Sequence, residues 1–365
     1  MVAQPQIIAG VFDHGTSKTF TLRDTLVGVG GHNNAGMYVV NHEGRTLLMK
    51  TTENFPNRDQ DSAKSTTREA YMHAMAAESL HDSSAGVVPR VHFAGLEDAW
   101  NPTSFLVMDW IDPPRQLPKN QNPISKNYTM TDHEFLKVAD STKEVVSHML
   151  GAGISHNDIG SHNVILLRDH HVALIDFGES CLLYFGGTDG PVVPDDFRTR
   201  FSCHLFGGRT EAAKHWVGHS LGSAGYSDVR ATFGFLYDLL LNTDGVAHAK
   251  QFSDILLGNR YRPDDPDIYS HIPTALAEGG GWCPQLVTPN PDELHRLHVQ
   301  ARDVTDAAIS LLERVVRMLH TAAASPPTTP TSTSALAAGF AGLLHAQPAR
   351  SPGALTPTSP DLMWV

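Results

Sequence analysis

The chain has 365 residues, 41% of them hydrophobic and 18% charged, with a net charge of -12. That length supports two lobes with a sizeable buried core, and the composition excludes an intrinsically disordered chain. The acidic balance, with no Lys/Arg run, argues against nucleic acid or an anionic membrane surface as the main partner.

Three scattered cysteines, Cys181, Cys203 and Cys283, form no CxxC pair and read as reduced thiols of a cytoplasmic or nuclear protein. The opening "MVAQPQIIAGVFDHG" lacks a basic region followed by a long apolar core, so no signal peptide is expected. No apolar run approaches the roughly 20 residues that span a bilayer, so no membrane segment is expected. The 21 histidines are dispersed without an HExxH or Cys/His box, and no zinc site is expected.

In chain order, residues 18–50 read as three strands, "KTFTLRDTLVGVG", "GMYVVN" and "TLLMK", separated by a Gly/Asn-rich turn and by "HEGR". "DSAKSTTREAYMHAMAAESL" reads as a helix. "GVVPRVHFAG" and "SFLVMDWID" are two further runs of strand length. A Pro-rich connector, "DPPRQLPKNQNP", then precedes a change of character. Thr131 opens a T-x-x-E capping box closed by Glu134. Phe135, Leu136, Val138, Val145, Val146 and Met149 give the following helix an apolar face, and Gly151 stops it. "DVRATFGFLYDLLL" and "VTDAAISLLERVVRML" are also helical. From about Thr321 the composition shifts to Ala, Pro, Ser and Thr, too poor in core formers to fold alone.

The chemistry concentrates just beyond the capped helix. "GISHNDIGSHNVIL", residues 153–166, places His156, Asp158 and Asn163 in one short loop, and "VALIDFGES" brings Asp176 thirteen residues after the asparagine. Two carboxylates and a carboxamide at fixed spacing supply oxygen ligands for a hard cation and an acceptor for a hydroxyl proton. Asp and Asn are also ordinary turn residues. The strand lysine Lys50 and the glycines of "GVGGHNNAGMYVV" are weak signals taken singly.

Taken in order, these motifs resemble the protein kinase-like family from about Gly28 to Leu319. The pattern H-x-D-x-x-x-x-N is His156, Asp158 and Asn163, and D-F-G is Asp176, Phe177 and Gly178. The resemblance implies an α+β, bilobal fold with an N-lobe over 1–112, a C-lobe over 113–320 and a disordered tail over 321–365. It implies Mg²⁺-ATP as cofactor. Gly28, Gly30, Gly31 and Gly36 would admit phosphate close to backbone N–H groups. Lys50 would meet the phosphates and Glu69 would hold it, with Glu78 as the substitute. Met108 and Asp109, in the connector strand, would line the nucleotide. Asn163 and Asp176 would ligate metal, and Asp158 would orient the acceptor hydroxyl.

Glu69 has a competing reading, because Thr66-x-x-Glu69 is itself a capping box that would put it at a helix start. Other positions depart from the family. Asn33 stands where the third glycine belongs, Leu48 where alanine is favoured, Asn157 in place of an arginine, and Gly160 in place of a lysine. The nearest candidate for the A-P-E motif is Glu211 in "GGRTEAAKHW". These departures are similar to the aminoglycoside, choline and fructosamine phosphotransferases. "YSDVRATFGFLYDLLL" instead resembles a protein-kinase helix whose aspartate, Asp228, ties down the catalytic loop. The expected activity is phosphoryl transfer to a protein Ser/Thr hydroxyl. A small-molecule kinase with a hydroxyl or amine acceptor is the alternative, and a catalytically dead scaffold comes third, since Lys50, Asp158 and Asp176 are all present.

Overall fold

Short, β-branched apolar runs broken by turn residues make the first half of the chain strands. In a computed structural model these are Ile7–Val11 (β1), Ser17–Thr25 (β2), Gly36–His42 (β3) and Arg45–Glu53 (β4). The helix Thr66–Ser79 (α1) follows, then Gly86–Val87 (β5), Val91–Asp98 (β6) and Asn101–Asp109 (β7). The structure describes residues 7–11, 17–25, 36–53, 66–80, 86–98, 101–111, 128–167, 169–182, 226–260 and 291–326, all within one unit, Met1–Pro326. The Pro-rich connector and the chain after 326 lie outside them.

Six strands form an antiparallel sheet in the order β1-β2-β3-β4-β7-β6, which closes where Val11 meets Leu96. Glu43 and Gly44, both at positive φ, form the two-residue turn between β3 and β4, the geometry that suits a twisted hairpin. Alternate residues of a strand serve opposite faces. Leu47 and Met49 of β4 join Phe20, Val40, Phe105 and Val107 in an apolar cluster among the strands. Lys50 and Leu48 therefore share the other face, where Leu48 packs against the larger core containing Ala70, Met72 and Met75 of α1.

The second half contains Tyr128–Thr129 (β8), Asp132–Gly151 (α2), Ile154–Ser155 (β9), Val164–Leu166 (β10), Val172–Leu174 (β11) and Cys181–Leu182 (β12). Tyr226–Leu241 (α3), Thr243–Asp244 (β13), Ala249–Arg260 (α4) and Pro291–Ala323 (α5) complete it. The Thr131 box is formed in both directions: Glu134 N donates to the threonine hydroxyl, and Thr131 N donates to the glutamate.

Several elements differ from the sequence reading. β1, α4 and the two-residue strands β8, β12 and β13 are not among the predicted elements. α5 begins at Pro291, well before Val304, and runs past Thr321. "GVVPRVHFAG" is two strands, because Pro89 has no N–H to continue a ladder. β5 pairs in parallel with β11, whereas β6 pairs with β7.

Candidate active site

Lys50 leaves β4 on the face that meets α1, and Glu69 stands in the first turn of that helix. The ammonium donates to Glu69 Oε1 at 2.8 Å and to Asp176 Oδ1 at 2.7 Å. Burial pulls the lysine pKa down, but the charges of Glu69 and Asp176 outweigh it and hold the ammonium above its usual range. For Asp176, burial pushes the carboxyl up. The Lys50 charge and hydrogen bond, together with the Gly178 N–H, hold it below the ordinary range instead. An added Cβ on Gly178 would lie 3.3 Å from Asp176 Oδ1, so glycine keeps this corner open. Glu69 stands in the first turn of α1, where the capping reading put it, and its carboxylate pairs with Lys50 as the resemblance implies. Glu78, in the last turn, instead lines a separate cavity of about 290 Å³ with Arg90 and Asp109.

A hairpin brings Asn163 beside Asp176. β10 and β11 pair as Val164 with Leu174, and the ladder continues with Ile175 N donating to Asn163 O at 3.0 Å. Asn163 and the residue after Ile175 thus flank the open end of one hairpin. Asp176 there has φ 63° and ψ 76°, the left-handed region that Asp tolerates better than most residues. Asn163 Nδ2 donates to Asp158 Oδ2 at 2.9 Å and to Asp158 O at 2.8 Å. That leaves the amide oxygen, the atom suited to a hard cation.

The loop between α2 and β10 hangs on a buried carboxylate of α3. Asp228 accepts from Ser155 Oγ at 2.9 Å, His156 N at 2.7 Å and Asn157 N at 2.8 Å. Burial pushes the Asp228 carboxyl up, and these donors oppose that shift. Asn157, at φ 64°, takes a conformation asparagine accepts readily. His156 is fully buried. Its Nδ1 accepts from Asp158 N, so Nε2 carries the proton and donates to Ile175 O. Burial keeps this ring neutral by lowering its pKa. Phe177 lies between the rings of His156 and His73 of α1, each at 4.7 Å. Burial pushes His73 down to about 3, so it too is neutral.

Other sequence candidates are placed less centrally. Met108 is buried opposite Leu48. The Asp109 carboxylate is engaged within the fold by His92 Nε2 at 2.6 Å and Arg90 N at 3.2 Å. Gly36 opens β3, and its carbonyl accepts from Thr51 Oγ at 3.2 Å. Gly28, Gly30, Gly31, Asn33 and Glu211 lie outside the described residues. Sequence reasoning missed the His162 contact to Asp158 and the His92–Asp109 pair, since both depend on loop or cross-strand proximity that spacing does not reveal.

The residues present fit a metal-bound nucleotide. Lys50, Glu69 and Asp176 together carry one excess negative charge, and the Asp176 side chain is 35% exposed. Two of the three lysine N–H donors are engaged, which leaves one for a phosphate oxygen. Among the described residues no group of three or more His, Cys, Asp or Glu side chains forms a metal cage. Magnesium does not need one, since one or two carboxylates with substrate phosphates and waters suffice. Among the described residues no helix is long and apolar enough to cross a membrane.

No family model matches the chain, and no curated protein matches it. Among solved structures it is similar to the kinase PK-1 of the Cydia pomonella granulovirus, with 11% identity over 80% of this chain and 92% of that one, at a TM-score of 0.38. At that score the chemistry rests on the residues themselves.

Proposed function

We propose that the chain is an ATP-dependent phosphotransferase with a two-lobed protein kinase-like fold, moving the γ-phosphoryl group of Mg²⁺-ATP to a protein Ser/Thr hydroxyl. The observation that carries this reading is the buried lysine held between Glu69 and Asp176, beside the Asp158–Asn163 loop. When bound, Mg²⁺-ATP supplies the phosphoryl group and the charge that neutralises its oxygens. Lys50 would hold phosphate oxygens with its remaining donor. Asp176 and Asn163 would hold the metal. Asp158 would orient the acceptor hydroxyl and take its proton late in the transfer. Asp228 fixes the backbone on which Asp158 stands.

Purified protein offered labelled ATP with Mg²⁺ tests this, using casein, histone, choline and an amino sugar as parallel acceptors. Label on a protein hydroxyl supports the whole reading. Label on a small acceptor keeps the phosphotransferase and replaces its substrate class. No Mg²⁺-dependent ATP stabilisation on melting, with no transfer, would overturn it.

A further inference from the structure

The Asp158 carboxylate is gripped from two sides, by Asn163 and by His162. His162 Nε2 lies 3.2 Å from Asp158 Oδ1, while Asn163 holds Oδ2. A carboxylate is otherwise loose about its terminal torsion, which is broad and two-fold. Donors on different oxygens fix its plane, and each oxygen keeps a second lone pair for a substrate hydroxyl. The chain also makes room for this ring. An added Cβ on Gly160 would fall 2.7 Å from His162 Cε1 and 2.9 Å from Nδ1. Gly160 does not have a positive φ, so its backbone does not require glycine. The space it leaves is filled by the imidazole.

We propose that His162 is a positioning residue for phosphoryl transfer, orienting the Asp158 carboxylate toward the acceptor, and that Gly160 is glycine to admit its ring. This deepens the phosphotransferase reading and rests on it. Both side chains are open to solvent, His162 at 59% and Asp158 at 45%. The effect should therefore fall between that of an exposed pair and that of a misplaced reacting group, roughly 5- to 20-fold in kcat.

The test is steady-state kinetics and melting of wild type, His162→Leu, His162→Gln, Gly160→Ala and the double variant Gly160→Ala/His162→Leu. The assay uses Mg²⁺-ATP with whichever of casein, histone, choline or an amino sugar the wild type phosphorylates. His162→Leu should lower kcat with KM for ATP and Tm unchanged, and His162→Gln, which keeps an N–H donor, should recover most of it. Gly160→Ala should lower kcat similarly by displacing the ring. In the double variant the losses should not multiply, because one interaction has been removed twice. Wild-type kcat in His162→Leu, multiplying losses, or a parallel fall in ATP affinity and Tm would overturn the proposal while leaving the phosphotransferase standing. A wild type that transfers to none of the acceptors would overturn both.

Discussion

The two halves of the site use the same carboxylate group in opposite surroundings. Around Lys50 the charges are buried and locked together, with the lysine side chain 8% and Glu69 7% exposed. Around Asp158 the site is open, and the neighbours are the Asn163 amide and the His162 ring. A buried cation binds Asp176 into the fold, whereas Asp158 is only oriented. Replacing Asp176 should therefore disturb the fold as well as the proposed chemistry, whereas replacing Asp158 should disturb the fold little.

The largest effect should come from breaking the buried half. Lys50→Met leaves two carboxylates without their cation, so beyond losing phosphoryl transfer it should destabilise the fold by about 3–5 kcal/mol. Denaturant unfolding measures this, and a change within about 1 kcal/mol, as for a surface lysine, would contradict the observed burial. Asp228→Ala strips the acceptor from three donors of the loop. A loss of about 3 kcal/mol with collapse of turnover is expected, although Asp228 itself touches no reacting group.

A smaller effect appears in acid. The Asp176 pKa is depressed, so its contribution is present above the ordinary carboxylate value of about 3.9 and disappears as pH falls through the lower native value. Wild type should lose stability more steeply than Asp176→Asn below about pH 4. Parallel acid limbs in a pH-melting series would show that Asp176 is not tied to Lys50 in solution.

The smallest effect lies far from the site. His248 donates to Ser325 O at 2.8 Å and pairs with Asp132 at 2.6 Å, and the Asp132 hydrogen bond holds its pKa up. A chain ending at Ala322 should be about 1 kcal/mol less stable than one ending at Pro326. Because the Ser325 carbonyl itself helps to raise the histidine pKa, the difference should be fullest below about pH 6.5 and shrink as pH rises through the raised value. Equal melting of the two truncations at low pH would remove the clamp.

What was legible in the sequence was local. The spacing of Asp158, Asn163 and Asp176 is set by one loop and one hairpin, so it survives as a linear pattern. The capping box at Thr131 and the apolar face of α2 were readable for the same reason. Lys50 was ambiguous because a strand lysine is usually solvated, and its burial between Glu69 of α1 and Asp176 of the second half is a tertiary fact. Glu69 carries a capping signal in the sequence, and spacing does not reveal that its carboxylate reaches a strand lysine 19 residues earlier. α4 escaped because its bulky apolar residues, Phe252, Ile255, Leu256 and Leu257, span less than two turns and are followed at once by Gly258 and Asn259. The early start of α5 was marked by Pro291, a favoured first helical residue, but "DELHRLHVQ" dilutes the apolar period.

ATP affinity, turnover and melting temperature of Asp158→Asn and Asp176→Asn, measured side by side, test the division of labour most directly. The predicted result is a split. Asp158→Asn keeps ATP affinity and Tm near wild type and lowers kcat by about 10²–10⁴, whereas Asp176→Asn weakens Mg²⁺-dependent ATP binding as well as transfer. Equal losses of affinity, turnover and Tm in both variants would contradict it, and would reduce the two aspartates to turn residues of the fold.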